Sequence, residues 1–473
     1  MPELSQFMPA ALTTSAANNA STPIVENGFP STGFILICSA LVMLMTPAVG
    51  LFYSGLSHSR NALTIIMISF LSYAVVCIQW ICFGFSLSFA ENGSPVIGNF
   101  NMAGFTNVLG QGLSLTAPAV PAIVFALYQL QFATVTVAIV FGAVCERVRL
   151  IPSIVFMFLW TTLVYDPVAY WTWAARGWIR NMSCLSTIAL DQTPCQIGGL
   201  DFAGGGPVHI ASGAAALAFC IFLGKKKTEE TKPHNVTFVF IGTALLWFGW
   251  FGFNAGSSVN ATARSGMAAL VTTVSASAGG LTWMVIDSIP SGKLSGVGFC
   301  SGVIAGLVGI TPAAGFVAPW AAIVIGVVSA VCCNYATNAK DFLGYDDHLD
   351  AFGLHGVGGI VGNLLTGFFA SKSIATLDGG VINGGFVDSN WVLLGYQAIG
   401  SLAIFVYSAL ITYLLLLLIN LVPGLKLRIS EEKEILGLDV GEMGEVAYEL
   451  AQNGTATALS DMKTEKEPTV NEV

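Results

Sequence analysis

Two histidines, His209 and His355, lie inside apolar stretches built mainly from small residues. The first stretch runs Asp201-Phe202-Ala203-Gly204-Gly205-Gly206-Pro207-Val208-His209 and continues through Gly213 to Leu217. The second opens with Asp346-Asp347-His348-Leu349-Asp350 and reaches Leu354-His355-Gly356-Val357-Gly358-Gly359. An imidazole changes charge near neutral pH, and its two nitrogens can donate and accept, so the chemistry on offer is proton exchange and hydrogen bonding. Sixteen residues separate His209 from Lys225, which sets it roughly 24 Å above that basic loop at about 1.5 Å per residue. Ionisable side chains at such depth in a bilayer are rare and mark function. Residue counting places both histidines in the membrane but not in contact, so two unrelated core histidines remain an open alternative. Asp201 precedes a run of glycines, where a carboxylate accepts backbone N–H bonds. It is assigned a structural and electrostatic role ahead of direct cation ligation, and Asp350 a matching anchoring role.

The elements that must hold these side chains are transmembrane helices. Hydrophobic residues make up 54% of the chain and charged residues only 10%, against roughly 25% charged for soluble domains. Apolar runs recur along the whole length, so a polytopic all-α membrane protein is expected. Eleven spans are read, at about 32–56, 62–89, 119–144, 151–174, 205–223, 235–256, 266–288, 295–311, 315–336, 351–370 and 390–421. Pro47 interrupts the first. The histidines fall in the fifth and tenth spans, which cross in opposite directions, as in a five-plus-five inverted repeat with one helix added. With the N-terminus outside, eleven basic residues lie in inner loops and four outside, a clear positive-inside bias. The C-terminus is then cytoplasmic. Residues 1–30 read as an extracellular extension, 31–421 as the membrane domain, 422–448 as a cytoplasmic segment and 449–473 as a polar tail too poor in apolar residues to fold alone.

Loops add further expectations. Cys184 and Cys195 share one outer loop, where a disulfide is possible; the other cysteines form no metal-binding pattern. Asn19, Asn92 and Asn181 open outer Asn-x-Ser sequences that could accept a glycan. Glu146 and Arg147 read as a bonded pair holding an inner loop. No basic patch or motif suits nucleic acid, and no nucleophile, base and oxyanion set suggests an enzyme or a cofactor.

Four stretches together resemble the ammonium transporter family, the Amt/Mep/Rh group, on its Amt/Mep branch. They are Asp201 to Leu217, Trp250-Phe251-Gly252-Phe253-Asn254-Ala255-Gly256-Ser257, Asp346 to Gly362, and Gly142-Ala143-Val144-Cys145-Glu146-Arg147. The resemblance implies that His209 and His355 are the family's twin histidines, meeting along an apolar pore. It implies an outer ammonium site formed by Tyr128 (before Gln129), Trp173 and Ser257, with Tyr128 and Phe253 as the stacked rings of an aromatic gate. Taken alone, Trp173 would read as an interfacial belt aromatic beside Tyr170, Trp171 and Trp178. The family often has Phe at Tyr128 and usually His at Met443. The implied protein is a homotrimer in the plasma membrane lipid bilayer that moves ammonium or ammonia. Its tail is controlled by a cytoplasmic regulator or kinase. The alternatives are an ammonium sensor signalling through that tail, or a conduit for another small neutral molecule such as carbon dioxide or methylamine.

Overall fold

The computed structural model describes residues 29–109, 112–184, 197–228 and 232–448. Ten helices among these are long and apolar enough to cross a membrane. They are α1 (Phe29–Leu56), α2 (Ser59–Phe89), α3 (Ala122–Ala143), α4 (Leu150–Trp173), α5 (Gly205–Leu223), α6 (Val236–Gly256) and α7 (Ala263–Ser291), then, after a shorter apolar helix α8 (Gly296–Ile310), α9 (Pro319–Leu343), α10 (Phe352–Phe369) and α11 (Val392–Leu421). The expected eighth span is therefore the short one: fifteen residues reach only about 23 Å, less than a hydrocarbon core of about 30 Å. In α1 the helical pattern breaks at Leu44, three residues before Pro47, whose ring crowds the preceding turn.

Small residues and close packing join the helices of the bundle. Helices α3 and α5 are almost wholly buried at its centre, whereas α7 and α11 turn Leu270, Leu281, Leu402 and Leu418 outward as a lipid-facing surface. At the heart of the bundle α5 and α10 cross at two glycines. A Cβ on Gly213 would lie 2.2 Å from the Gly356 nitrogen, so no other residue fits without parting the helices. Outside the helices the described residues hold one small hairpin, β1 (Gly112–Leu113) with β2 (Ala117–Pro121), before α3.

The segment after α11 folds back beneath one face of the bundle, the tail face. It carries a short helix, α12 (Glu431–Leu436), and a single wide turn over Asp439–Met443. Glu146 and Arg147 do not serve each other as a closed pair. Glu146 accepts from Ser57, the His58 N–H and Asn61 and lies 3.2 Å from His348, while Arg147 donates to the Asp346 carbonyl at 2.6 Å. Burial pushes the Glu146 carboxyl up, but His348, Ser57 and Lys226 outweigh it and hold the group well below the usual range.

Candidate functional site

Each histidine sits in the first turn of its helix, and in both helices that turn is widened. Residues Gly205–Ile210 and Phe352–Val357 form π-type turns. In the first, the His209 N–H reaches back to the Gly204 carbonyl at 3.1 Å. Such single wide turns concentrate at functional sites, because they re-aim a side chain without ending the helix. The turn before His209 is held by Asp201, whose carboxylate accepts the N–H groups of Gly204, Gly205 and Gly206 at 2.7, 2.9 and 2.6 Å. Gly204 has φ +119°, a conformation open to glycine. At the second helix the comparable bonds go to Asp347, which accepts from Ala351 and Phe352 at 3.0 and 2.7 Å. Asp350 instead pairs with Lys340 and itself takes φ +59°. Asp201 thus holds the turn at His209, whereas at His355 that place belongs to Asp347 and Asp350 is tied to Lys340.

The two imidazoles meet. Nδ1 of His355 lies 3.2 Å from Nδ1 of His209, with ring centroids 5.2 Å apart. One Nδ1 must donate and the other accept, so the rings hold opposite tautomers and a single proton lies between them. Both line a lumen of about 20 Å³ walled by Val49, Phe52, Val135, Val208, Leu246 and Leu354 among others, room for one water-sized molecule. His209 Nε2 is buried without a protein partner among the described residues.

Above His209, away from the tail face, rings follow in sequence. Phe253 lies at 6.2 Å and nearly parallel to His209, and Phe132 stacks on Phe253 at 4.2 Å and 28°. The ring stacked on Phe253 is therefore Phe132, and Tyr128 takes a different place. Its ring meets Phe132 edge-on at 5.0 Å, and its hydroxyl donates toward the Gly252 and Phe253 carbonyls at 2.9 and 2.8 Å and lies 3.4 Å from Ser257 Oγ. The hydroxyl ties the Tyr128 ring to the α6 backbone. Trp173 stands edge-on to Phe132 at 5.8 Å and donates its Nε1–H to the Asp201 carbonyl.

Trp173, Ser257 and Asp201 line a vestibule of about 1000 Å³ on the face opposite the tail; a second cavity of about 440 Å³ opens at the tail face beside Lys226, Tyr345, His348 and Asp350. Two wide mouths thus flank one narrow apolar waist.

Two residues of this arrangement were missed by the sequence reading. Phe132 follows Tyr128 by one helical turn on the same face of α3, the signal that could have found it. Trp250 stacks on His209 at 5.6 Å and 23°, held by its Nε1–H bond to Thr311; it stands three residues before Phe253 in the same motif. Away from the waist, Cys184 is disulfide-bonded, while Cys195 lies outside the described residues, as do Asn19 and residues 449–473. Asn181 is a correction: it is fully buried and its amide donates to the Ala175 and Gly177 carbonyls, which removes it as a glycan acceptor, whereas Asn92 is exposed.

Comparison with known proteins agrees along nearly the full length. A family model described as Ammonium Transporter Family matches residues 33–448. The chain is 45% identical over 454 residues to Ammonium transporter 1 of Schizosaccharomyces pombe, spanning 94% of this chain and 88% of that one. It is 45% identical over 430 residues to Ammonium transporter MEP2 of Saccharomyces cerevisiae, spanning 88% and 83%. The crystal structure of Candida albicans Mep2 matches with a TM-score of 0.79 at 43% identity and covers 93% of each chain. This multi-pass membrane protein belongs to the ammonium transporter family.

Proposed function

We propose that the chain transports ammonium across the plasma membrane, taking the cation from the vestibule opposite the tail and conducting it past the histidine pair. The observation that carries this reading is the 3.2 Å contact between His209 and His355 in a narrow apolar lumen beneath stacked aromatic rings. Moving a bare ion from water into a low-dielectric medium costs on the order of 20 kcal/mol before relaxation. Potassium and sodium meet that barrier whole. Ammonium has a way round it, since it can shed a proton and cross the waist as ammonia, hydrogen-bonding to imidazole as it passes. In the vestibule the face of Trp173 attracts the cation by about 0.5–2 kcal/mol, and Ser257 Oγ offers an acceptor. Phe132 and Phe253 act as the gate that strips water. The N-terminus is placed outside and the tail in the cytoplasm on the basic-residue bias, and a homotrimer is the assembly we infer from the family resemblance.

The test is transport by purified protein in liposomes. An inward ammonium gradient should give protein-dependent flux, while equal potassium or sodium gradients should give none. Potassium flux equal to ammonium flux would contradict the reading.

A further inference from the structure

The vestibule opposite the tail is lined, among the described residues, by charged side chains of both signs in equal number: Asp201 and Asp378, Arg180 and Arg264. A mouth that gathers a cation gains from negative charge, so the two arginines stand against that purpose. Arg264 is firmly fixed there. Its guanidinium carbon lies 5.1 Å from the centre of the Phe202 ring and 4.8 Å from that of Phe316, and the two rings meet edge-on at 5.5 Å. Its Nε–H donates to the Gly315 carbonyl at 2.7 Å, and one terminal nitrogen lies 3.3 Å from each Asp378 oxygen. A Cβ on Gly315 would come within 2.0 Å of the Phe202 ring, so glycine is what lets this cage close.

The pair ties the start of α7 to the α8–α9 turn and the α10–α11 loop, but its charge has a consequence that a mere tie lacks. A guanidinium stays protonated at any pH the protein meets. Taken as a cube, a vestibule of about 1000 Å³ is roughly 10 Å on edge, so a cation inside it lies within roughly that distance of each wall charge. There an unbalanced unit charge changes the local cation concentration by a factor of about 2 to 16, for effective dielectric constants from about 80 down to about 20. Such a field acts on charge alone. It gathers sodium and potassium as strongly as ammonium. Cancelling it leaves attraction to short-range contacts, which do tell these ions apart.

We infer that Arg264 is a specificity-determining residue of the vestibule: caged by Phe202 and Phe316, it cancels the charge of Asp378, so that sodium and potassium do not crowd the mouth that receives ammonium. This rests on the ammonium-transport reading, and the experiment separates the two. Uptake is measured against ammonium concentration for the wild type, Arg264→Met, Asp378→Asn and the double variant at matched surface density. Each is measured at low ionic strength and again with about 0.15 M potassium chloride, where charges are screened over about 8 Å. Methionine keeps an unbranched apolar stem between the rings; asparagine keeps the shape of the aspartate.

At low ionic strength Arg264→Met should lower the ammonium KM about threefold, Asp378→Asn should raise it about threefold, and the double variant should return to within about 1.5-fold of wild type. Added potassium chloride should raise the KM of Arg264→Met by a larger factor than that of the wild type. A tie between loops would instead shift both single variants in the same direction, with the double variant no better than either. That pattern overturns the inference, and so does an unchanged KM in both single variants. Should Arg264→Met fail to reach the surface, Asp378→Asn decides alone, and a KM unchanged or lowered is then the overturning result. Absence of ammonium uptake by the wild type would fail the transport reading.

Discussion

Asp201 shows how one side chain serves position and charge together. Its carboxylate holds the glycine turn from which His209 is hung, and enclosure pushes its pKa up from 3.8 to about 6 against the opposing pull of the Gly206, Gly204 and Gly205 N–H bonds. Above pH 6 the group is ionised and adds a negative potential to the vestibule, which favours an approaching cation. The stability consequence has a definite sign. A carboxyl whose folded pKa is raised contributes stability fully below about pH 4 and loses it as pH rises through about 6. A displacement of that size corresponds to roughly 3 kcal/mol. In detergent, the thermal midpoint of the wild type should therefore carry a falling component between pH 4 and pH 6.5 that Asp201→Asn lacks. Asp347, also raised to about 6 by burial and by Asp350, supplies a similar component that the variant keeps. Identical slopes for the two proteins would show that Asp201 does not titrate in this window.

Among the elements, the helices were legible and their irregularities were not. Long apolar runs announce α2, α3 or α11 directly, because a bilayer demands length and apolarity together. The wide turns at His209 and His355 have no such signature: they arise from where Asp201, Asp347 and the Gly213–Gly356 crossing fix the chain, and those are tertiary contacts. Glu146 and Arg147 misled for the same reason. Adjacent opposite charges suggest a pair, but consecutive residues point apart and each found partners on other segments. The tail segment is likewise an element defined by what it touches. Asp439 accepts the Thr64 and Leu63 N–H groups at 2.8 and 3.1 Å, capping the start of α2, and Glu442 accepts the Leu150 N–H at 3.1 Å, capping α4. Loss of one such cap costs about 0.5–2 kcal/mol. Asp439→Ala and Glu442→Ala should each change the ammonium uptake rate several-fold at matched surface density, whereas deletion of residues 449–473 should leave it within twofold. Loss of all uptake on that deletion, in protein delivered normally, would refute the division.

For the whole molecule, the histidine stretches and their order along the chain were readable from the residues, whereas the waist they form was implied only by the family resemblance. A pore is a property of the bundle: Phe132 comes from α3, Phe253 and Trp250 from α6, His209 from α5 and His355 from α10, and no local pattern reports which rings will face one another. What the assembled molecule presents is a wide mouth, an apolar constriction of about 20 Å³ and a second mouth. The account stands on the claim that this constriction selects by deprotonation. A carboxylate at either histidine position would stabilise a whole cation and relax that filter, whereas leucine would remove the hydrogen-bonding route without supplying a charge. The direct measurement is ammonium and potassium flux, offered separately, through wild type, His209→Glu, His355→Glu, His209→Leu and His355→Leu at matched surface expression. The account predicts potassium flux at least about tenfold above wild type in the Glu variants with some ammonium flux kept, and a sharp loss of ammonium flux without potassium leak in the Leu variants. Unchanged potassium exclusion in both Glu variants together with normal ammonium flux in both Leu variants would contradict it.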